Sequence, residues 1–159
     1  MRDALNRSDS HKQEMLIRNL VARGVVDRVD AGTKMQLLDV SLENGHKPTK
    51  VEHWERYGMT YHPKAGAEVM TLAVGGNRDH IIVFDAADRR YRMTGLSEGE
   101  LAIHDDQGQV VHFKRGGIHV ESALGITLKG PIKIEGNVTH TGNYNQTGVH
   151  IDSNGPHTA

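Results

Sequence analysis

Cysteine is absent from the 159 residues, which excludes disulfides, thiolate metal sites and cysteine nucleophiles. Aromatic side chains make up only 4% of the chain and the hydrophobic fraction is 36%, a thin supply for a self-sufficient globule of this size. That shortage points to burial against other copies of the chain. No charge of one sign dominates. Lys and Arg number 19 against 20 Asp and Glu, so the chain does not advertise nucleic acid or an anionic membrane as a partner. No stretch approaches the ~20 consecutive apolar residues of a transmembrane helix. The leading segment, Met1 to His11, is polar and lacks the apolar run of a secretory signal. Any passage through a membrane would therefore not use hydrophobic insertion.

What the chain does have is glycine, unevenly spread. Nine of the 18 glycines fall in residues 1–100 and nine in the 59 residues that follow, so composition shifts near residue 100. Gly130, Gly136, Gly142 and Gly148 recur every six residues, and two adjoining units read Gly136-Asn137-Val138-Thr139-His140-Thr141 and Gly142-Asn143-Tyr144-Asn145-Gln146-Thr147. Such units cannot bury a core alone and are stabilised by stacking on neighbours. Too few units are present for a single-chain β-helix, so the missing partners are most simply identical chains.

Along the chain, residues 3–20 read as a helix with a patchy apolar stripe at Leu5, Met15, Leu16 and Leu20. Val21 to Asp30 alternate in part, residues 34–42 fit a strand, and Asn44-Gly45 signals a turn. The polar stretch from His46 to Pro63 has Trp54, Tyr57 and Tyr61 as its expected anchors. Glu68 to Val74 and His80 to Phe84 read as strands joined through Gly75-Gly76-Asn77-Arg78-Asp79, and the set suggests a small antiparallel barrel. From Leu101 the pattern becomes short pairs of period 2: Leu101 with Ile103, Val111 with Phe113, Ile118 with Val120, Ile126 with Leu128, and Ile132 with Ile134. His119, Thr127 and Lys133 lie between them and would face solvent. One thin apolar stripe per chain suits a three-faced prism with the stripes on its axis. The residues expected there are Ile118, Val120, Ile126, Leu128, Ile132, Ile134, Val138 and Tyr144. The expected division is an arm over 1–20, a barrel over 21–100 and a trimeric spike over 101–159.

The middle of the chain carries an ordered set of words. They run Tyr57-Gly58-Met59-Thr60, Pro63, Gly66-Ala67-Glu68 and Gly75-Gly76-Asn77-Arg78-Asp79-His80. Arg89-Arg90-Tyr91-Arg92, Gly95-Leu96, Gly99-Glu100, Asp105-Asp106-Gln107-Gly108 and His112-Phe113-Lys114-Arg115-Gly116-Gly117 follow. In this order and spacing they resemble the central spike of contractile phage tails, the baseplate assembly protein V family of Mu-like phages and prophages. The resemblance implies a mainly β homotrimer with an N-terminal OB-like barrel and a C-terminal intertwined triple-stranded β-helix. It implies assembly in the host cytoplasm, a place in the virion baseplate beneath the tail hub, and transient contact with the host outer membrane as it is pierced. Such spikes often end in a His-x-His pair whose three copies bind iron. Here His157 is a candidate for the first histidine, but position 159 is alanine, so an apical iron is expected only if the chain continues to such a pair.

Other constellations read as structure. Asp105-Asp106 sits in a turn, where adjacent carboxylates point apart and do not form the acid/base pair of a glycosidase. Gly75-Gly76-Asn77-Arg78 lacks the spacings of dinucleotide and P-loop motifs and reads as a tight turn. Arg89-Arg90-Tyr91-Arg92 could serve single-stranded nucleic acid on an OB surface, but Asp85, Asp88 and Glu98 lie close, which favours a polar contact between subunits or domains and no nucleic-acid partner. The histidines of the repeat region, His104, His112, His119, His140 and His150, are irregularly spaced, and alternation sends most of them outward. No nucleophile elbow or local Ser/His/Asp set is present. The expectation is a mechanical protein without catalysis or a cofactor. A hexapeptide-repeat acyltransferase and an OB-type single-stranded nucleic-acid binder are the alternatives.

Overall fold

The computed structural model describes residues 17, 20–152 and 155–158; for residues 150–158 only the backbone is described. The helix expected over 3–20 lies, apart from positions 17 and 20, outside the described residues. The chain separates into two compact units, one reaching Ala123 and one starting at Leu124.

The first unit is built on five strands: β1 (Val21–Asp30), β2 (Leu37–Leu42), β3 (Val51–His53), β4 (Glu68–Ala73) and β5 (Ile81–Ala87). They close into a barrel in the order β1-β2-β3-β5-β4, with β4 returning to β1. Period 2 explains which residues line it. Leu38, Val40 and Leu42 of β2, Val51 of β3, Val69 of β4, Val83 of β5 and Val26 of β1 point inward and form one core with Ala67. Closing so few strands needs bends. Register shifts occur between Val26 and Arg28 against β2 and between Met70 and Thr71 against β5, where an extra residue increases local twist. At Gly24 the two strands approach so closely that a Cβ would lie 2.5 Å from the Ser41 carbonyl oxygen, so only glycine fits there without moving the backbone.

Two expectations are corrected. The barrel is not purely antiparallel, because β3 pairs parallel with β5. Parallel neighbours need a long crossover, and residues 54–80 supply it, carrying β4 to the far side of β5 on the way. The second correction concerns the aromatic anchors. Trp54 is 60% exposed and Tyr57 is fully exposed, so neither anchors the crossover; only Tyr61 reaches inward. The glycine-rich joint between β4 and β5 is the expected tight turn, a 3-10 turn at Val74–Gly76 with φ +63° at Gly75.

After the barrel comes a separate three-stranded antiparallel sheet, β6 (Leu101–His104), β7 (Val110–Lys114) and β8 (Gly117–Glu121). Asp105 turns the chain between β6 and β7, its carboxylate accepting the backbone N–H groups of Gln107 and Gln109 at 2.9 Å each. In the second unit, residues 125–148 join no ladder among the described residues. The strands expected at Ile126–Leu128 and Ile132–Ile134 are therefore not formed, since a strand is defined by a ladder partner and none is present among the described residues. The unit ends in a hairpin that the repeat pattern did not predict, β9 (Val149–Asp152) with β10 (Gly155–Thr158).

Leu38→Ala should destabilise the barrel by roughly 2–5 kcal/mol, because it opens a cavity in a fully buried site. Trp54→Ala should change stability by less than ~0.5 kcal/mol, as for other exposed side chains. Urea unfolding followed by circular dichroism checks both, and equal losses would contradict the assignment of the core.

Candidate functional site: an uncovered apolar face

Register decides the faces of the β6-β7-β8 sheet. Leu101 pairs with Phe113 and Phe113 with Ile118; Ile103 pairs with Val111 and Val111 with Val120. All six side chains therefore stand on one face. Five of them are exposed, from 40% at Phe113 to 65% at Ile118. The opposite face carries Ala102, His112 and His119 in one row. There His112 is buried, the exception among the repeat-region histidines expected mostly to face outward; His104, His119 and His140 are exposed.

The polar face is covered because the chain itself returns over it. Glu100 accepts the Ser97 N–H at 3.0 Å and the Arg115 N–H at 3.2 Å. A third contact is His112 Nε2, 3.3 Å from the carboxylate but out of line for a hydrogen bond. These N–H groups, then the imidazole, hold the Glu100 carboxyl below the usual carboxylate range. The guanidinium of Arg115 lies where a Cβ at Gly99 would stand, and Gly99 has φ +77°. His104 accepts the Met93 N–H at 3.4 Å. The chain thus covers its polar face with its own returning segment and leaves the apolar face open.

The second unit repeats this arrangement. Ile126, Leu128, Ile132, Ile134, Val138 and Tyr144 are 53–70% exposed. With Ile118 and Val120 of β8 they are the residues expected on a trimer axis, and a single chain buries none of them. Each repeat turns at a glycine with φ between +108° and +134° (Gly130, Gly136, Gly142 and Gly148), a region that side-chain-bearing residues rarely enter.

The remaining candidates are occupied by structure. Asp105 is spent on its turn: burial pushes its carboxyl up, but the Gln107 and Gln109 donors outweigh this and hold it low. Asp106 pairs with Lys64, which ties the β6-β7 turn to the barrel crossover. Two carboxylates engaged separately make no acid/base pair. Arg89 pairs with Glu68, and Arg90 with Asp88 while also donating to the Ala65 carbonyl. Tyr91 lies beneath both Lys64 and Arg90, at 5.0 and 5.5 Å from ring centre to cation. These cations serve contacts within the first unit. His157 sits on β10 with its backbone opposite His150, and the residues present carry no His-x-His pair for an apical iron. Among the described residues no single chain gathers three metal-ligating side chains.

Sequence reasoning missed one cluster. His53 is fully buried in the barrel wall. Its Nδ1–H donates to Gln36 Oε1 at 2.9 Å, and Gln36 Nε2 donates to the Tyr61 carbonyl at 3.0 Å. The Tyr61 hydroxyl donates to His53 Nε2 at 3.2 Å and accepts the Ala86 N–H. The two rings meet edge to face at 5.1 Å. Each polar atom of the neutral imidazole has a partner, and no substrate can reach it, so the cluster is a clasp holding the crossover to the barrel. Only the alternation of Val51 and His53 on a short strand could have signalled it.

Comparison with known proteins bears on this arrangement. Residues 23–90, which hold the barrel, match the family described as Bacteriophage Mu Gp45, N-terminal. The chain is 35% identical over 101 residues to the baseplate puncturing device gp45 of Escherichia phage Mu, covering 64% of this chain and 51% of that protein. It is 29% identical over 110 residues to the Mu-like prophage FluMu protein gp45 of Haemophilus influenzae, covering 69% of this chain and 60% of that one. The chain thus spans about half to three fifths of the length of these curated relatives.

The clasp has a pH signature. Burial pushes the His53 pKa down, and the nearby Glu55 and Asp85 charges only partly oppose it. The unfolded chain therefore binds a proton more readily than the folded one. The clasp's full contribution is present above the ordinary histidine value of ~6.5 and is lost as pH falls below it. Thermal midpoints should drop between about pH 7 and pH 5. In His53→Gln that slope should flatten, from a lower starting stability. A variant that keeps the slope would assign it to another group.

Proposed function

On the premise that this chain belongs, through its barrel, to the Mu Gp45 family of Mu-like phage baseplate spikes, we propose that it is the central spike of a contractile tail. In this reading it is a homotrimer in the virion baseplate. The barrels are OB-like and meet hub and baseplate proteins, and the repeats of three chains wind into an intertwined β-helix. Sheath contraction drives the assembly into the host outer membrane. Its work is force transmission, without catalysis.

The observation that carries this reading is the uncovered apolar face: Leu101, Ile103, Val111, Phe113, Ile118 and Val120 on one side of a narrow sheet, and the same alternation through Tyr144 in sequence. Exposed contiguous apolar surface on an otherwise polar chain marks an association site. A threefold prism covers it with identical residues and also gives residues 125–148 ladder partners that are absent among the described residues of one chain. Strands that bond to two neighbouring chains cannot peel away singly, which makes the assembly kinetically stable. Stiffness of that kind is what a puncturing tip needs. Among the described residues no helix is long and apolar enough to cross a membrane, and a driven tip would not require one.

Sedimentation should give a mass near three times 17.6 kDa at micromolar concentration. Ile118→Asp should reduce it to the single-chain value, since it buries three carboxylates together. A single-chain mass for the unaltered protein would refute the trimer. For the biological role, tails carrying a spike truncated after Glu135 should assemble but infect poorly. Microscopy counts the tails and plating counts infective particles. Equal infectivity would remove the puncturing role from this segment.

A further inference from the structure

Counting back from the glycine that closes each repeat (Gly130, Gly136, Gly142 or Gly148) sorts the side chains into columns. Four places before the glycine stand Ile126, Ile132, Val138 and Tyr144. Two places before it stand Leu128, Ile134, His140 and Gln146. These positions differ by two, so they share a face in extended chain. The positions between them are polar throughout, and the Lys133–Glu135 ion pair lies there. His140 therefore occupies, on the apolar face, the place held by leucine and isoleucine in the two preceding repeats.

The side-chain geometry supports that phase independently. The His140 and Tyr144 rings meet edge to face, centroids 5.8 Å apart at 73°. The Tyr144 hydroxyl donates to Gln146 Oε1 at 3.1 Å. His140, Tyr144 and Gln146 thus lie on one side of the chain across two consecutive repeats.

We propose that three His140 imidazoles, one from each chain, bind a single divalent transition-metal ion on the axis of the repeat segment. The proposal rests on the trimeric reading above. A polar ring set into an apolar column is costly unless its nitrogen finds a partner. Threefold symmetry brings three such nitrogens to one level, and a metal satisfies all of them together. Three histidines with one open position form an established zinc donor set, and imidazole also suits copper, nickel and iron. The His140 level presents imidazole nitrogens and no carboxylate, which suits a transition metal better than calcium or magnesium, whose ligands are oxygens. Each chain contributes one ligand, so the site is incomplete without its partner copies. It is separate from any histidine pair that would involve His157.

The test uses the full chain, stripped of metal and titrated with Zn²⁺ and, separately, Co²⁺. Native mass spectrometry should show one ion per trimer, and Co²⁺ should give the visible absorption of a four-coordinate site. His140→Gln should weaken Zn²⁺ binding by more than the ~10–100-fold typical of losing an outer-shell partner. His140→Leu, which restores the residue type of Leu128 and Ile134, should trimerise fully and bind no ion, so loss of metal is read on an assembled protein. His150→Ala and His157→Ala should retain the ion. A trimer that takes up no stoichiometric metal overturns the site while the trimer stands. An ion that survives in His140→Leu, or disappears in His157→Ala, overturns the site in the same way. Absence of a trimer in the unaltered protein overturns the trimeric reading, and the site falls with it.

Discussion

The structure turns on a mismatch between what one chain buries and what it must bury. In the barrel, alternation sends valines and leucines to a shared interior, and the chain completes its own core. From Leu101 onward alternation continues, yet each strand pair offers one apolar face and no layer to lie upon it. The unequal treatment of the two faces of β6-β7-β8 is informative. The chain spends its returning segment, through Glu100, Arg115 and Met93, on the polar face. Were this sheet an ordinary layer of a monomer, the returning segment would cover Phe113 and Ile118 instead. Leaving those open while covering His112 is what the proposed trimer accounts for, since other copies of the chain would take the apolar side.

The barrel and the repeats solve opposite problems. The barrel is complete within one chain. It closes its edges by joining β4 to β1, it bends through bulges, and it fastens its long crossover with the His53–Gln36–Tyr61 clasp. The repeats have to be incomplete. A segment able to satisfy itself would have no reason to interlock, and in the proposed spike interlocking is the source of rigidity. Positive-φ glycines turn the chain at fixed intervals, and in the proposed trimer they do so without placing a side chain where another copy would pass.

Much of this was legible in the sequence because it follows from period and punctuation. The six-residue glycine spacing, the paired apolar residues, the Asp105 turn and the β4-β5 joint all depend on neighbours a few positions away. The failures depend on distant contacts. The parallel β3-β5 pair is set by the crossover's path, which no local signal encodes. Trp54 and Tyr57 looked like anchors because large aromatic rings are usually buried, but the crossover is held by a smaller polar cluster built on His53, which no sequence pattern singled out. His112 was missed for a related reason: alternation places it on the face opposite Phe113, and which face is covered depends on segment 93–100. The strands expected at Ile126–Leu128 and Ile132–Ile134 are absent from the single chain, because period 2 marks a face but does not supply a ladder partner.

The change of character along the repeat column completes the physical account. Its early levels are Leu128 and Ile134, dry and interchangeable, and they specify little beyond burial. Its later levels are His140 and Gln146, which must be matched nitrogen to partner. An apolar column alone tolerates a slip of one whole repeat, since every level looks alike. A polar level does not, because a slipped register would set an imidazole against isoleucine and leave it unpaired in a dry site. In the proposed trimer, the three chains can then align only where His140 meets His140. Buried polar groups are known to fix register in coiled coils at some cost in stability. The same logic here makes the apolar levels responsible for cohesion and the histidine level responsible for alignment, so that intertwining chains reach one assembled state.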